Sequence, residues 1–116
     1  MQVKSIAKSF TKKFLLNREY EMIAEDFITN ESNVELIYKD NSTNEIVFIP
    51  IRITKYKEFL FKEEKEEYLR RRKIVCTMKW FLTKHNLLNN EVRVDLVEIS
   101  IDKQKASLRY SMKVIG

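Results

Sequence analysis

The spacing of apolar positions changes along the chain, and the changes outline its elements. From 3 to 16 the spacing is helical. Val3, Ala7, Phe10 and Phe14, with Ile6, form an apolar stripe, and Lys4, Lys8 and Lys12 line another face at i, i+4. From Tyr20 to Ile28 apolar and acidic residues mix ("YEMIAEDFI"), which predicts a first strand of weak pattern. "VELIYK" (34–39) predicts a second strand and "EIVFIPIRI" (45–53) a third, with the polar run "DNSTN" (40–44) as the turn of a hairpin. Pro50, the only proline, falls inside the third strand. Proline has no N–H to give a ladder, so the strand is expected to bulge or lose a bond there.

A long helix follows over 63–87. Glu63, Glu64, Glu66 and Glu67 stand near its start and Lys84 and His85 at its end, as the helix macrodipole favours. Tyr68, Val75, Met78 and Leu82, widened by Ile74 and Phe81, form its predicted buried stripe. "NN" (89–90) breaks it. "VRVDLVEIS" (92–100) alternates like a strand, with Val92, Val94, Leu96 and Ser100 to one side. "ASLRYSMKVI" (106–115) is a last strand after the turn "DKQK". The order α-β-β-β-α-β-β, with a meander and a crossover helix, predicts an α/β fold: a mixed sheet with helices packed on it.

Composition narrows this picture. The chain has 116 residues, 44% hydrophobic and 34% charged, which suits one globular domain spanning 1–116. No run of about 18 apolar residues predicts a membrane span. Lysines are spread through "MQVKSIAKSFTKKFLL", unlike a secretory signal. The single cysteine, Cys76, excludes an internal disulfide and a cysteine-built zinc site. A reducing, cytoplasmic setting is therefore expected, with no membrane partner. The one glycine is terminal, which excludes a glycine-rich phosphate loop. A net charge of +5 favours anionic partners, although an AT-rich genome would impose the same excess of Lys, Asn and Ile.

The element order resembles the core of the PD-(D/E)XK nuclease superfamily, the restriction-endonuclease-like α/β/α sandwich. More closely, the chain resembles the YraN-like family of small bacterial proteins. "SNVELI" (32–37) stands where that family has "GEIDLI", and "IVFIPIR" (46–52) where it has a strand ending "VFVEVK". "HNL" (85–87) and "VRVDLVEI" (92–99) match the family's "HGL" and "VRFDVVEI". The resemblance covers nearly the whole chain. It implies a divalent-metal site built from an Asp on the second strand and the Glu of an E-x-K pair on the third. Such a cation polarises the scissile phosphate and activates a water.

At that site the residues depart from the family. The Asp aligns with Glu35, which can still ligate a hard cation. The Glu aligns with Pro50, which has no side-chain oxygen, and the Lys aligns with Arg52. Arginine stays protonated; it can hold a phosphate but not readily shuttle a proton. A Gly-Glu pair of the family's first helix falls on Ala7 and Lys8. The resemblance therefore implies a degenerate nuclease that binds nucleic acid, structured or branched DNA in particular, without cleaving it. It would hold no metal, and Arg52, Arg70, Arg71, Lys73 and Lys8 are the candidate contacts. The competing reading is an active endonuclease using Mg²⁺ on Glu35 and a relocated carboxylate, with Glu63, Glu66 and Glu67 as the candidates. A third reading is a protein-interaction module or homodimer with no nucleic-acid role.

Each site residue also has a plainer account. Glu35 would be a partly exposed strand carboxylate paired with a neighbouring cation, and Arg52 its salt-bridge partner. Arg70 and Arg71 would pair with Glu66 and Glu67 on a solvated helix face. Four consecutive helical cations (70–73) spread around the axis and cannot all meet one partner. Lys8 would belong to a soluble lysine stripe. His85 is expected to cap the helix, and Cys76 to be a small buried apolar residue. A Cys76–His85 pair is excluded, since nine residues span about 13 Å of helix axis. Trp80, Tyr56, Phe59 and Phe61 are expected in core or edge packing.

Overall fold

The computed structural model describes residues 3–54, 64–102 and 105–115. Helix α1 (Val3–Leu15) leads into β1 (Tyr20–Ile28), β2 (Asn33–Asp40), β3 (Glu45–Ile49) and β4 (Ile51–Thr54); α2 (Glu64–Lys84), β5 (Val92–Asp102) and β6 (Lys105–Ile115) complete the order. Expectations for Tyr56, Phe59, Phe61 and Glu63, and for the side chains of Glu66, Glu67 and Tyr68, lie outside the described residues.

The strand expected at 45–53 is interrupted at Pro50, which separates β3 from β4. The two halves remain in line. Both pair parallel with β5 at the same offset, Val47 opposite Arg93 and Ile51 opposite Val97. The Pro50 carbonyl still accepts the Val97 N–H at 3.2 Å. On the other side β3 pairs antiparallel with β2, and β1 pairs with β2. The result is one six-stranded mixed sheet, with β6 antiparallel to β5 at the far side. The expected α/β arrangement is present, and a mixed sheet with two helices is compatible with the restriction-endonuclease-like fold.

Two apolar clusters explain why the sheet is interior. One joins Ala7 and Leu15 of α1 to Leu36, Val47, Ile49 and Val97. The other joins Met78, Phe81 and Leu82 of α2 to Ile37, Ile46, Phe48 and Val94. Odd and even residues of β3 thus serve opposite helices, as strand alternation requires. Phe81 meets Phe27 and Phe48 edge-on at 5.1 and 5.6 Å, a geometry worth about 0.5–1.5 kcal/mol per pair beyond area burial.

Local chemistry fixes the element ends. The β2–β3 turn forms because Asp40 accepts from the Ser42 N–H and hydroxyl, while Asn44 takes the left-handed conformation (φ 66°) that asparagine tolerates. Helix α2 stops through Asn86 at φ 56°: the Leu87 N–H reaches back to the Leu82 carbonyl at 2.8 Å, and the Asn86 N–H to that of Thr83. His85 lies in this cap, its ring stacked on Phe81 at 4.2 Å.

Three packing expectations are corrected. The line that α1 buries is Ala7, Thr11 and Leu15, whereas Val3, Ile6, Phe10 and Phe14 are exposed. The reason is rotational: Thr11 satisfies its hydroxyl on the Ala7 carbonyl at 2.8 Å, so a threonine can face the sheet. Phe14 instead packs beside Tyr110 under the Arg18 guanidinium. Cys76 is exposed, because α2 turns Thr77, Met78 and Phe81 inward and leaves Cys76 on its outer side with Lys79. Trp80 is exposed on the same outer side. Among the described residues no helix is long and apolar enough to cross a membrane.

Candidate functional site

The β2–β3 register pairs Leu36 with Ile49, so one further step sets Glu35 opposite Pro50. That juxtaposition decides what Glu35 does. It is buried (5% exposed), and its Oε1 accepts the backbone N–H of Ile51 at 3.1 Å, the first amide past the strand break. Its other oxygen, Oε2, is buried with no hydrogen-bond partner. The expectation of a partly exposed carboxylate is therefore corrected: the proline interrupts the ladder, and the side chain from the next strand takes the freed amide.

Burial raises the Glu35 pKa, and the Ile51 bond and the nearby Lys4 charge only partly oppose it. A raised carboxyl pKa means that ionisation costs more in the folded state. That cost is absent below the unfolded value and present once pH rises through the native one. Glu35→Gln keeps an acceptor for the Ile51 N–H and removes the cost, so it should be no less stable than the parent at neutral pH. Glu35→Ala strands a buried donor and should lose about 1–3 kcal/mol. Urea unfolding of the two variants checks this, and equal losses in both would contradict it.

Around Glu35 opens a cavity of about 440 Å³ lined by Lys4, Pro50, Arg52 and Arg70 among others. Arg52 stands on β4 opposite Glu98 of β5 and pairs with its carboxylate at 3.8 Å. Glu98 also takes Arg109 of β6 at 2.8 Å, so three adjacent strands carry an Arg–Glu–Arg ladder. Arg70, on α2, has its Nη1 buried without a hydrogen-bond partner. A smaller recess beside Pro50 adds Arg71 to Arg52 and Arg70. Three of the five expected cationic contacts therefore converge at the strand break.

The other two do not. Lys73 is exposed and lines neither recess. Lys8 lies against β1, 2.6 Å from Asp26 and 3.3 Å from Glu25, and these partners, Asp26 first, hold its pKa up. Lys12 pairs with Glu25 beside it. Lys8 and Lys12 of the lysine stripe are thus satisfied within the fold by acidic residues of β1, whereas Lys4 lines the cavity. Among the described residues no group of three or more His, Cys, Asp or Glu side chains is placed to hold a metal ion.

A second polar cluster is one that the hydrophobic pattern does not announce. Arg93, 2% exposed, extends from β5 on the α1 side of the sheet. Its Nε and Nη2 engage both oxygens of Asp95, its Nη1 reaches Asp40 at 3.0 Å and Glu45 at 2.8 Å, and Nη2 donates to the Tyr20 hydroxyl. Asp95 also accepts from the Tyr110 hydroxyl at 2.5 Å and from the Lys113 N–H at 2.8 Å. That amide is freed at a register shift between β5 and β6, where Lys113 has φ 53°. Burial and then the Asp95 carboxylate push the Tyr110 pKa well up. The Arg93 end of this cluster lies toward the hairpin, opposite Val47 and about 10 Å of strand from Pro50, on the other face of the sheet. The cluster ties β1, β2, β3, β5 and β6 together, which is a structural task.

The sheet is compatible with a restriction-endonuclease-like fold, and among the described residues the cavity beside Pro50 is lined by Lys4, Arg52 and Arg70 with Glu35. Comparison with known families gives the more particular assignment. Residues 8–99 match the model of the uncharacterised protein family UPF0102. The chain belongs to that family, the YraN-like group its motifs resemble. A UPF0102 protein of Coxiella burnetii (strain RSA 331) is 26% identical over 103 residues, 88% of this chain and 84% of that protein. A UPF0102 protein of Persephonella marina is 26% identical over 87 residues, 75% and 73% of the two chains. One from Clostridioides difficile is 22% identical over 86 residues, 74% of each.

Proposed function

We propose that this chain is a non-cleaving member of its family that binds nucleic acid, structured or branched DNA in particular, through the cleft at Pro50. The observation that carries the reading is the pairing of Glu35 with the strand break. Pro50 offers no side-chain oxygen at the place where a metal-binding carboxylate would stand, and one oxygen of Glu35 is committed to the Ile51 amide. Two-carboxylate chelation of Mg²⁺ has lost one ligand outright and has a partly occupied second one. The cations of the cleft are Arg52, Arg70 and Arg71, which share the smaller recess, and Lys4, which lines the larger cavity with Arg52 and Arg70. Guanidinium groups suit phosphate oxygens in geometry as well as charge.

Binding should therefore depend steeply on salt and not on divalent metal. Titrating the protein against single-stranded, duplex and four-way-junction DNA, with and without Mg²⁺, tests both features. The reading expects affinity that falls with added salt and survives chelation by EDTA. No affinity for any of these at low salt would favour a protein-interaction role instead.

A further inference from the structure

The cavity beneath Arg52 and Arg70 is not built for a phosphate alone. A phosphate site wants cations and donors throughout, yet the buried part of this cavity holds a carboxyl group. Glu35 lines the cavity and its Oε2 is buried with no hydrogen-bond partner, and an ionised carboxylate would repel an anion driven against it. The surrounding wall is apolar, formed by Pro50, Ile53, Ile74 and Leu96. The cations Lys4, Arg52 and Arg70 line the same space. One ligand class offers all three features at once: a flat apolar face, an edge carrying hydrogen-bond donors and acceptors, and an attached phosphate.

Resting on the nucleic-acid reading above, we propose that this cavity takes a single unstacked nucleotide. Its base enters between Pro50 and Ile74, a donor of the base edge meets Glu35 Oε2, and its phosphate stays with Arg52 and Lys4. Arg70, whose Nη1 is also buried without a hydrogen-bond partner, lines the cavity and finds an acceptor on the base or the phosphate. A paired base cannot enter without leaving its stack, and unpaired or bulged positions spare that cost. The feature recognised in structured DNA is then an unpaired nucleotide, not a backbone shape.

The test uses 2-aminopurine, whose emission reports its stacking surroundings. It is placed in a single strand, in a single-nucleotide bulge, and opposite thymine in a duplex, and is also supplied as the free 5′-monophosphate. The inference expects a change in emission for the strand and the bulge, and none for the paired probe at equal occupancy. A response from the free monophosphate as well assigns the cavity to nucleotides from either source. A response confined to the oligonucleotides assigns it to the strand. Glu35→Gln, which presents a donor where Oε2 accepts, should lower the preference for bulged over paired probe about tenfold, the scale of one buried hydrogen bond. An unchanged preference in that folded variant overturns the role of Glu35. Binding to paired and unpaired probes alike, with emission unchanged, overturns the inference and leaves the nucleic-acid reading standing. A response from the monophosphate alone keeps the cavity and overturns the polymer reading. No response and no binding with any probe overturns both.

Discussion

Replacing Arg93 with alanine should lower the stability of the fold by about 3–5 kcal/mol, the range expected when one partner of a buried ion pair is removed. The physical reason is the charge left behind. Asp40 and Asp95 are buried and Glu45 is half-buried, and all three lean on one guanidinium. Because a domain of this size is stable by about 5–15 kcal/mol in total, the variant is expected to be marginal near body temperature. Arg93→Met, which keeps volume but not charge, should be nearly as damaging, since the carboxylates rather than the cavity set the cost. Urea titration at neutral pH measures both.

The same cluster predicts a pH dependence. The hydrogen bond from Arg93 holds the Glu45 carboxyl below the usual range. For Asp40 burial acts upward, but hydrogen bonds from Ser42 and Arg93 outweigh it and hold it low. Burial likewise acts against the charge on Arg93, and its carboxylate partners more than offset that. A depressed carboxyl pKa supplies stability that is full above the unfolded value, about 4, and lost as pH falls through the native one. Acid should therefore weaken the parent protein below about pH 4, and Arg93→Ala, already lacking this contribution, should lose less over that window.

Replacing Arg52 and Arg70 together with alanine should weaken DNA binding roughly 50-fold at about 0.1 M salt, given a slope near −0.9 for each phosphate no longer neutralised. The log–log salt dependence should flatten by about 2 in slope. The fold should tolerate the change. Glu98 keeps Arg109 when Arg52 is removed, and Arg70 Nη1 has no hydrogen-bond partner to strand. Lys8→Ala should leave the salt slope nearly unchanged, because Asp26 and Glu25 already engage that ammonium. Fluorescence anisotropy across a salt series reads both variants.

The course of the chain was legible in its sequence wherever periodicity and turn chemistry agreed. The hairpin at 40–44, the long second helix and the break at Pro50 each follow from local residue properties that the tertiary structure did not override. The orientation of α1 was not legible. Its aromatic residues outweigh Ala7 and Thr11 in hydrophobicity, yet Ala7, Thr11 and Leu15 are the residues it buries, and a threonine that bonds its own backbone fits there. Arg93 and Asp95 were missed for a related reason. Alternation in "VRVDLVEI" marks Val92, Val94 and Leu96 as one side of the strand and leaves Arg93 and Asp95 to the other. β5 lies between two neighbouring strands, with α1 over that second side, so its charged side is interior as well. Two opposite charges at i, i+2 on a strand covered on both sides were the available signal.

At the candidate site, the resemblance pointed to Glu35, Pro50 and Arg52 but not to what each of them touches in the fold. Glu35 was expected as a candidate ligand position; its bond to the Ile51 amide was not foreseen, because it depends on Pro50 standing opposite in the antiparallel register. The convergence of Arg52, Arg70 and Arg71 likewise needed the crossing of α2 over the end of β3, which no local pattern encodes.

The central claim is that the cleft binds without cutting. Its most direct test is to incubate the purified protein with single-stranded, duplex and four-way-junction DNA in Mg²⁺ or Mn²⁺ and resolve the products on a denaturing gel. The account predicts intact strands under every condition in which binding is saturated. Metal-dependent cleavage that disappears in Glu35→Ala and with EDTA would contradict it.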